Sequence, residues 1–92
     1  MGRRDIDVDE EELDRFIRTL STFQNLTKEK FQAVSTAWQK VDETWQGDSK
    51  QQFTGQFEAT QKSVEITLES GENGLEWLED FHRIVREFEG NY

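Results

Sequence analysis

Val41-Asp42-Glu43-Thr44-Trp45-Gln46-Gly47-Asp48-Ser49 is the stretch whose reading decides the fold. Gly47 can take a left-handed backbone conformation and end a helix. Asp48 or Ser49 then caps a new one, since Asp48 with Gln51 and Ser49 with Gln52 both have capping-box spacing. One helix stops and the next starts within about four residues, and so short a connection makes antiparallel neighbours, an αα-hairpin.

Upstream, apolar residues recur with heptad spacing. One row is Leu13, Leu20, Thr27, Val34 and Val41; the second is Ile17, Gln24, Phe31, Trp38 and Trp45. This is a helical seam and not a strand alternation. Phe16, Phe23 and Ala37 widen the apolar face, which suits packing against more than one helix. Asp9, followed three residues later by Glu12, marks the start, and the acidic run complements the helix dipole. Downstream, Phe53, Thr60, Thr67, Gly74, Phe81 and Phe88 form one row. Phe57, Val64, Gly71, Leu78, Val85 and Tyr92 form the other, with Leu68, Leu75, Trp77 and Ile84 beside it. Gly71 and Gly74 weaken the middle. Each costs about 1 kcal/mol relative to alanine in a helix. They mark either a break or a thin point where the neighbouring helix approaches closely. The chain has no proline, so long helices can run uninterrupted. The expected organisation is a single domain over 1–92, with a helix over about 9–44, a turn over about 45–48 and a helix over about 49–89.

Composition bounds what such a hairpin can be. The chain has 92 residues, of which 33% are hydrophobic and 34% charged, so it is poor in core-forming residues. It contains no cysteine, which removes disulfides and thiolate metal sites as sources of stability. A partner chain is the remedy left. Helices of about 35–40 residues run roughly 50–60 Å, and a lone hairpin of that length leaves much of each apolar stripe wet. Two hairpins packed as a four-helix bundle would bury the remainder. The interface residues expected for core or dimer are Leu13, Ile17, Leu20, Phe31, Val34, Trp38, Val41, Phe53, Phe57, Val64, Leu78, Phe81 and Val85, with Trp38 and Phe57 facing each other near the turn. Trp77 and Ile84 either widen the same core or form a second contact surface.

The net charge of −9 argues against nucleic acid and anionic membranes, which need clustered Lys and Arg. No apolar stretch approaches the roughly 20 residues that cross a bilayer. Met1-Gly2-Arg3-Arg4 is followed by Asp5, Asp7 and Asp9 and not by an apolar run, so no cleaved signal peptide is expected. Catalysis, metals and cofactors are not expected either. His82 is the single histidine and reads as structural or surface, and Ser21, Ser35, Ser49, Ser63 and Ser70 have no nearby base. The alternating aspartates lack the glycine and glutamate of a calcium loop, since those positions are Glu10 and Phe16. Asn25-Leu26-Thr27 matches a glycosylation acceptor but falls in the middle of a helix.

Trp45-Gln46-Gly47, midway along a chain of this length and between two heptad helices, resembles the WXG family of small helical-hairpin proteins exported through ESX-type (type VII) secretion systems. Ile6-Asp7-Val8-Asp9-Glu10-Glu11-Glu12-Leu13 is similar to the family's opening before its first long helix. The resemblance covers nearly the whole chain. It implies antiparallel hairpins that pair with themselves or with a related hairpin, and the family's motif tryptophan and glycine map onto Trp45 and Gly47. It implies a protein secreted without a cleaved signal peptide, cytoplasmic before export, or an escort that brings larger toxin cargo to a secretion ATPase. Many family tails carry Tyr-x-x-x-Asp/Glu. Here Tyr92 is the last residue and no upstream aromatic of the tail has an acid four positions on, so that part of the signal is expected to be altered, absent or supplied by a partner chain. The alternative is a coiled-coil interaction or adaptor module unrelated to secretion.

Overall fold

The computed structural model describes residues 7–90, with side chains as far as 88. Ile6, Tyr92, Asp5 and the arginines at 3 and 4, which carry parts of the sequence reading, lie outside the described residues. Two helices form an all-α hairpin: α1, Glu10–Thr44, and α2, Asp48–Gly90. The molecule measures 68 × 21 × 14 Å, which is two helices wide and one helix thick.

Asp9 caps α1. Its carboxylate accepts from the backbone N–H groups of Glu11 at 3.0 Å and Glu12 at 3.2 Å. The three glutamates of the first turn then sit against the positive end of the dipole. Glu12 turns its carboxylate to Arg15, 3.0 Å away.

The turn departs from the sequence expectation in two ways. Trp45 ends α1 in an extended conformation, with its N–H donating to the Val41 carbonyl at 2.9 Å. Gly47 has φ +109°, and it stands immediately before α2. Its positive φ therefore opens the second helix; it does not close the first. Asp48 already lies in the first turn of α2, so the residue at the cap position is Gly47 and neither Asp48 nor Ser49.

The helices meet along rows that differ from the expected seam. Ile17, Gln24, Phe31, Trp38 and Trp45 do face α2; beside them the expected row is covered at Leu13, Leu20 and Thr27 but exposed at Val34 and Val41, and on the other side Asp14, Ser21, Ser35 and Asp42 are partly covered while Lys28 is exposed. On α2 the contact rows are Phe57, Val64, Gly71, Leu78 and Val85 with Thr54, Gln61, Leu68, Leu75 and His82. An apolar stripe this wide can bury only part of itself against one neighbour, and on the side opposite Val34 and Val41 Lys28 reaches Glu72 at 2.9 Å and Lys50 reaches Asp42 at 3.0 Å, while His82 lies 2.5 Å from Glu10. Of the described apolar side chains, only Leu13, Ile17, Phe57 and Val85 are buried.

α2 runs through both central glycines without a break. Gly71 is the thin point. Gln24, 6% exposed, lays its amide over it and donates from Nε2 to the Leu68 carbonyl at 3.0 Å. A Cβ built on Gly71 would lie 2.1 Å from Gln24 Oε1, whereas one on Gly74 would meet nothing within 4 Å. Only one of the two glycines is a close approach.

Candidate functional site

The rotation of the helices gives the hairpin two unlike flanks. The polar flank is built on Asp14, Lys28 and Asp42 of α1. Lys28 and Asp42 bridge to Glu72 and Lys50, and Asp14 lies near His82, so polar contacts are spaced along this flank. At the open end, Arg18 bonds the Asp14 carboxylate. That bond, with the charges of Arg18, His82 and Arg86, holds Asp14 below the usual carboxylate range. His82, with its side chain 14% exposed, faces Glu10 and lies 4.0 Å from Asp14, so it ties the start of α1 to the end of α2. Its role in the structure is a tether.

The opposite flank is apolar and open. Phe16, Phe23, Leu26, Val34 and Val41 stand exposed along α1, and Phe53, Trp77 and Ile84 along α2. Phe23 is 56% and Trp77 63% exposed, values that neither side chain would have in a core. A shallow groove runs between the helices here, walled by Phe23 and Thr27 on one side and by Ser63, Val64, Thr67 and Leu68 on the other. It continues past Leu26, Lys30 and Val34. The flank contains almost no acid. Its rows on α1 are Phe16, Phe23, Lys30 and Ala37 with Glu12, Thr19, Leu26, Ala33 and Lys40. On α2 they are Phe53, Thr60, Thr67, Gly74, Phe81 and Phe88 with Gln56, Ser63, Ser70, Trp77 and Ile84. Glu12 is the single carboxylate among them, in a chain with 20.

At the closed end, five aromatic rings pack together. The Trp38 ring centroid is 5.2 Å from both Phe53 and Phe57, and Phe31 stacks on Phe57 at 6.2 Å. Trp45 folds back from the turn, edge-on to Trp38 at 6.3 Å and 6.0 Å from Phe53. The indole of the turn is therefore a plug at the end of the hairpin while remaining half exposed.

The expected interface residues divide between these environments. Leu13, Ile17, Phe57 and Val85 are buried inside the hairpin; Leu20, Phe31, Trp38, Val64, Leu78 and Phe81 are half-buried at its edge. Val34 and Val41 lie outside the hairpin's own core, on the apolar flank, and Phe53 borders that flank from the aromatic cluster. So do Trp77, stacked on Phe81 at 5.4 Å, and Ile84. Sequence reasoning missed Gln24 as the polar centre of the contact. The available signal was a glutamine inside one seam and a glycine inside the other.

Among the described residues, no group of three or more His, Cys, Asp or Glu side chains could hold a metal ion. Among the described residues, no helix is long and apolar enough to cross a membrane. Compared with known proteins, the chain matches no family model, no curated protein and no solved structure.

Proposed function

We propose that this chain is a non-enzymatic helical hairpin that works by docking its apolar flank on a second hairpin, forming a four-helix bundle of the kind exported by type VII secretion or escorting exported cargo. The observation that carries the docking is the open flank from Phe16 to Val41 and from Phe53 to Ile84, rich in exposed large apolar side chains and nearly free of acid. A hairpin one helix thick has no second layer to cover that flank, and contiguous apolar surface of this kind marks an interaction site. Burial of apolar area at about 25 cal/mol per Å² drives the association. The link to export rests on the resemblance carried by Trp45-Gln46-Gly47 at the junction of two long helices.

The test is fractionation of the native host, with medium compared against cytosol in cells with and without the secretion ATPase. The chain should reach the medium only when the ATPase is present. Phe23→Asp, which places a charge in the middle of the apolar flank, should leave the helical circular dichroism intact and retain the chain in the cytosol. Trp45→Ala should keep most of the helical content and reduce export. ATPase-independent distribution of the wild-type chain refutes the secretion reading and leaves a cytosolic interaction module.

A further inference from the structure

We infer that Gln24, seated on Gly71, sets the rotation of α2 about its own axis and so decides which residues are left on the open flank. It is the specificity-determining residue of the hairpin, although it is not on the flank itself. The consequence for docking rests on the reading above; the rotation does not.

α2 carries two rows that could join Phe57, Val64, Gly71, Leu78 and Val85 in the contact. One is Thr54, Gln61, Leu68, Leu75 and His82, and it is half-buried throughout. The other lies on the opposite side: Phe53, Thr60, Thr67, Gly74, Phe81 and Phe88, of which only the last two are half-buried. Rows three or four residues apart are neighbours on a helix, so a turn of about 50° exchanges one for the other.

Apolar content favours the row that is left out. It offers three phenylalanines, against two leucines in the row that is used, and the used row gives its other positions to threonine, glutamine and histidine. Burial of apolar area has no direction of its own, so it does not select the observed rotation. Nor does the pair between Lys28 and Glu72 in the middle of the hairpin, whose side chains are both more than half exposed; such pairs contribute little.

Gln24 does select it. Among the described residues it is the only buried polar side chain, 6% exposed, and a buried amide without a partner is costly. Its partner is the carbonyl of Leu68, which belongs to the row in use. Its amide lies where a Cβ on residue 71 would stand, so the seat needs glycine there. Turning α2 toward the phenylalanine row carries the Leu68 carbonyl away from Gln24. Gly74 is no substitute at that height, because it lies three residues further along α2, about 4.5 Å at 1.5 Å per residue, and the short connection between Thr44 and Asp48 holds α2 in place. One buried polar group that aligns two helices at a cost in stability is an attested use of such groups. Here the alignment leaves Trp77 and Ile84 open to solvent.

The chain has no cysteine, so Gln61→Cys and Thr67→Cys each introduce a single thiol, one on the half-buried row and one on the exposed row. Maleimide labelling is followed over a dilution series and the limiting rates are compared, so that cover by any partner drops out. Thr67→Cys should label several-fold faster than Gln61→Cys. Adding Gln24→Leu should reverse the order with the helical circular dichroism unchanged, and Gln24→Met, which keeps the side-chain length and loses the amide, should do the same. Faster labelling at both positions means a loosened hairpin, and an unchanged order means that Gln24 does not set the rotation; either result overturns the inference. So does a reversal in His82→Ala without one in Gln24→Leu, which places control in the tether at the open end. Without the cysteines, Gln24→Leu should be retained in the cytosol of the native host. Reversed labelling with normal export upholds the rotation and refutes the flank as an export-linked docking face. Retention without reversal overturns the role of Gln24 and leaves that docking face standing.

Discussion

Replacing Gly71 with alanine puts two well-defined effects in opposition. Alanine in a helix interior is favoured over glycine by about 0.5–1 kcal/mol, because less backbone freedom is lost on folding. The new methyl, however, would lie 2.1 Å from Oε1, 2.5 Å from Cδ and 2.7 Å from Nε2 of Gln24. The amide is buried between the helices, so it must leave the notch and give up its bond to the Leu68 carbonyl. A buried amide that loses its partner costs about 1–3 kcal/mol. The second effect wins, and Gly71→Ala should destabilise the protein by about 1–2 kcal/mol, a fall in Tm of about 4–8 °C per kcal/mol in a chain of this size. Gly55 supplies the control, because a Cβ there meets nothing within 4 Å and the residue is exposed. Gly55→Ala should raise stability by about 0.5–1 kcal/mol. Gln24→Ala combined with Gly71→Ala removes the collision, and the double-mutant cycle should return a coupling of roughly 2 kcal/mol. Urea unfolding followed by circular dichroism reads all five chains (wild type, Gly71→Ala, Gln24→Ala, the double variant and Gly55→Ala), at one fixed protein concentration. A Gly71→Ala chain as stable as Gly55→Ala, or a cycle with no coupling, refutes the notch.

Gly47→Ala should cost about 1–2 kcal/mol from backbone strain alone, since φ is +109° and the added Cβ meets no atom within 4 Å; a synthetic chain with D-alanine at 47 should recover it. Asp9→Ala removes the cap on two backbone donors and should lower stability by about 1 kcal/mol, read by the same urea titration. The carboxylate of Asp14 is held below its usual range by Arg18, so its contribution is present above the ordinary carboxylate value and is lost as pH falls through the depressed one. Thermal unfolding across pH 2–6 should therefore show a shallower acid loss for Asp14→Asn than for the wild-type chain, and equal slopes would remove Arg18–Asp14 as a contributor.

The hairpin was legible in the amino-acid sequence for local reasons. Asp9 and the acidic first turn announce α1, heptad rows without proline carry both helices, and Trp45-Gln46-Gly47 interrupts them. Capping and periodicity act over a few residues, so they can be read one residue at a time. The side of each helix that faces the other could not be read this way. Both helices carry an apolar stripe wider than one neighbour needs, and periodicity alone assigns the stripe's centre to the contact. Toward the turn the tertiary structure rotates the contact onto Ser35 and Asp42 and away from Val34 and Val41, and the cross-helix contacts of Asp14, Lys28 and Asp42 with His82, Glu72 and Lys50 exist only when two distant segments meet. That rotation leaves Val34, Val41, Phe53 and Trp77 on an open flank. Gly71 and Gly74 look alike in the sequence, and only the helix across the interface separates them, since one receives Gln24 and the other faces open space.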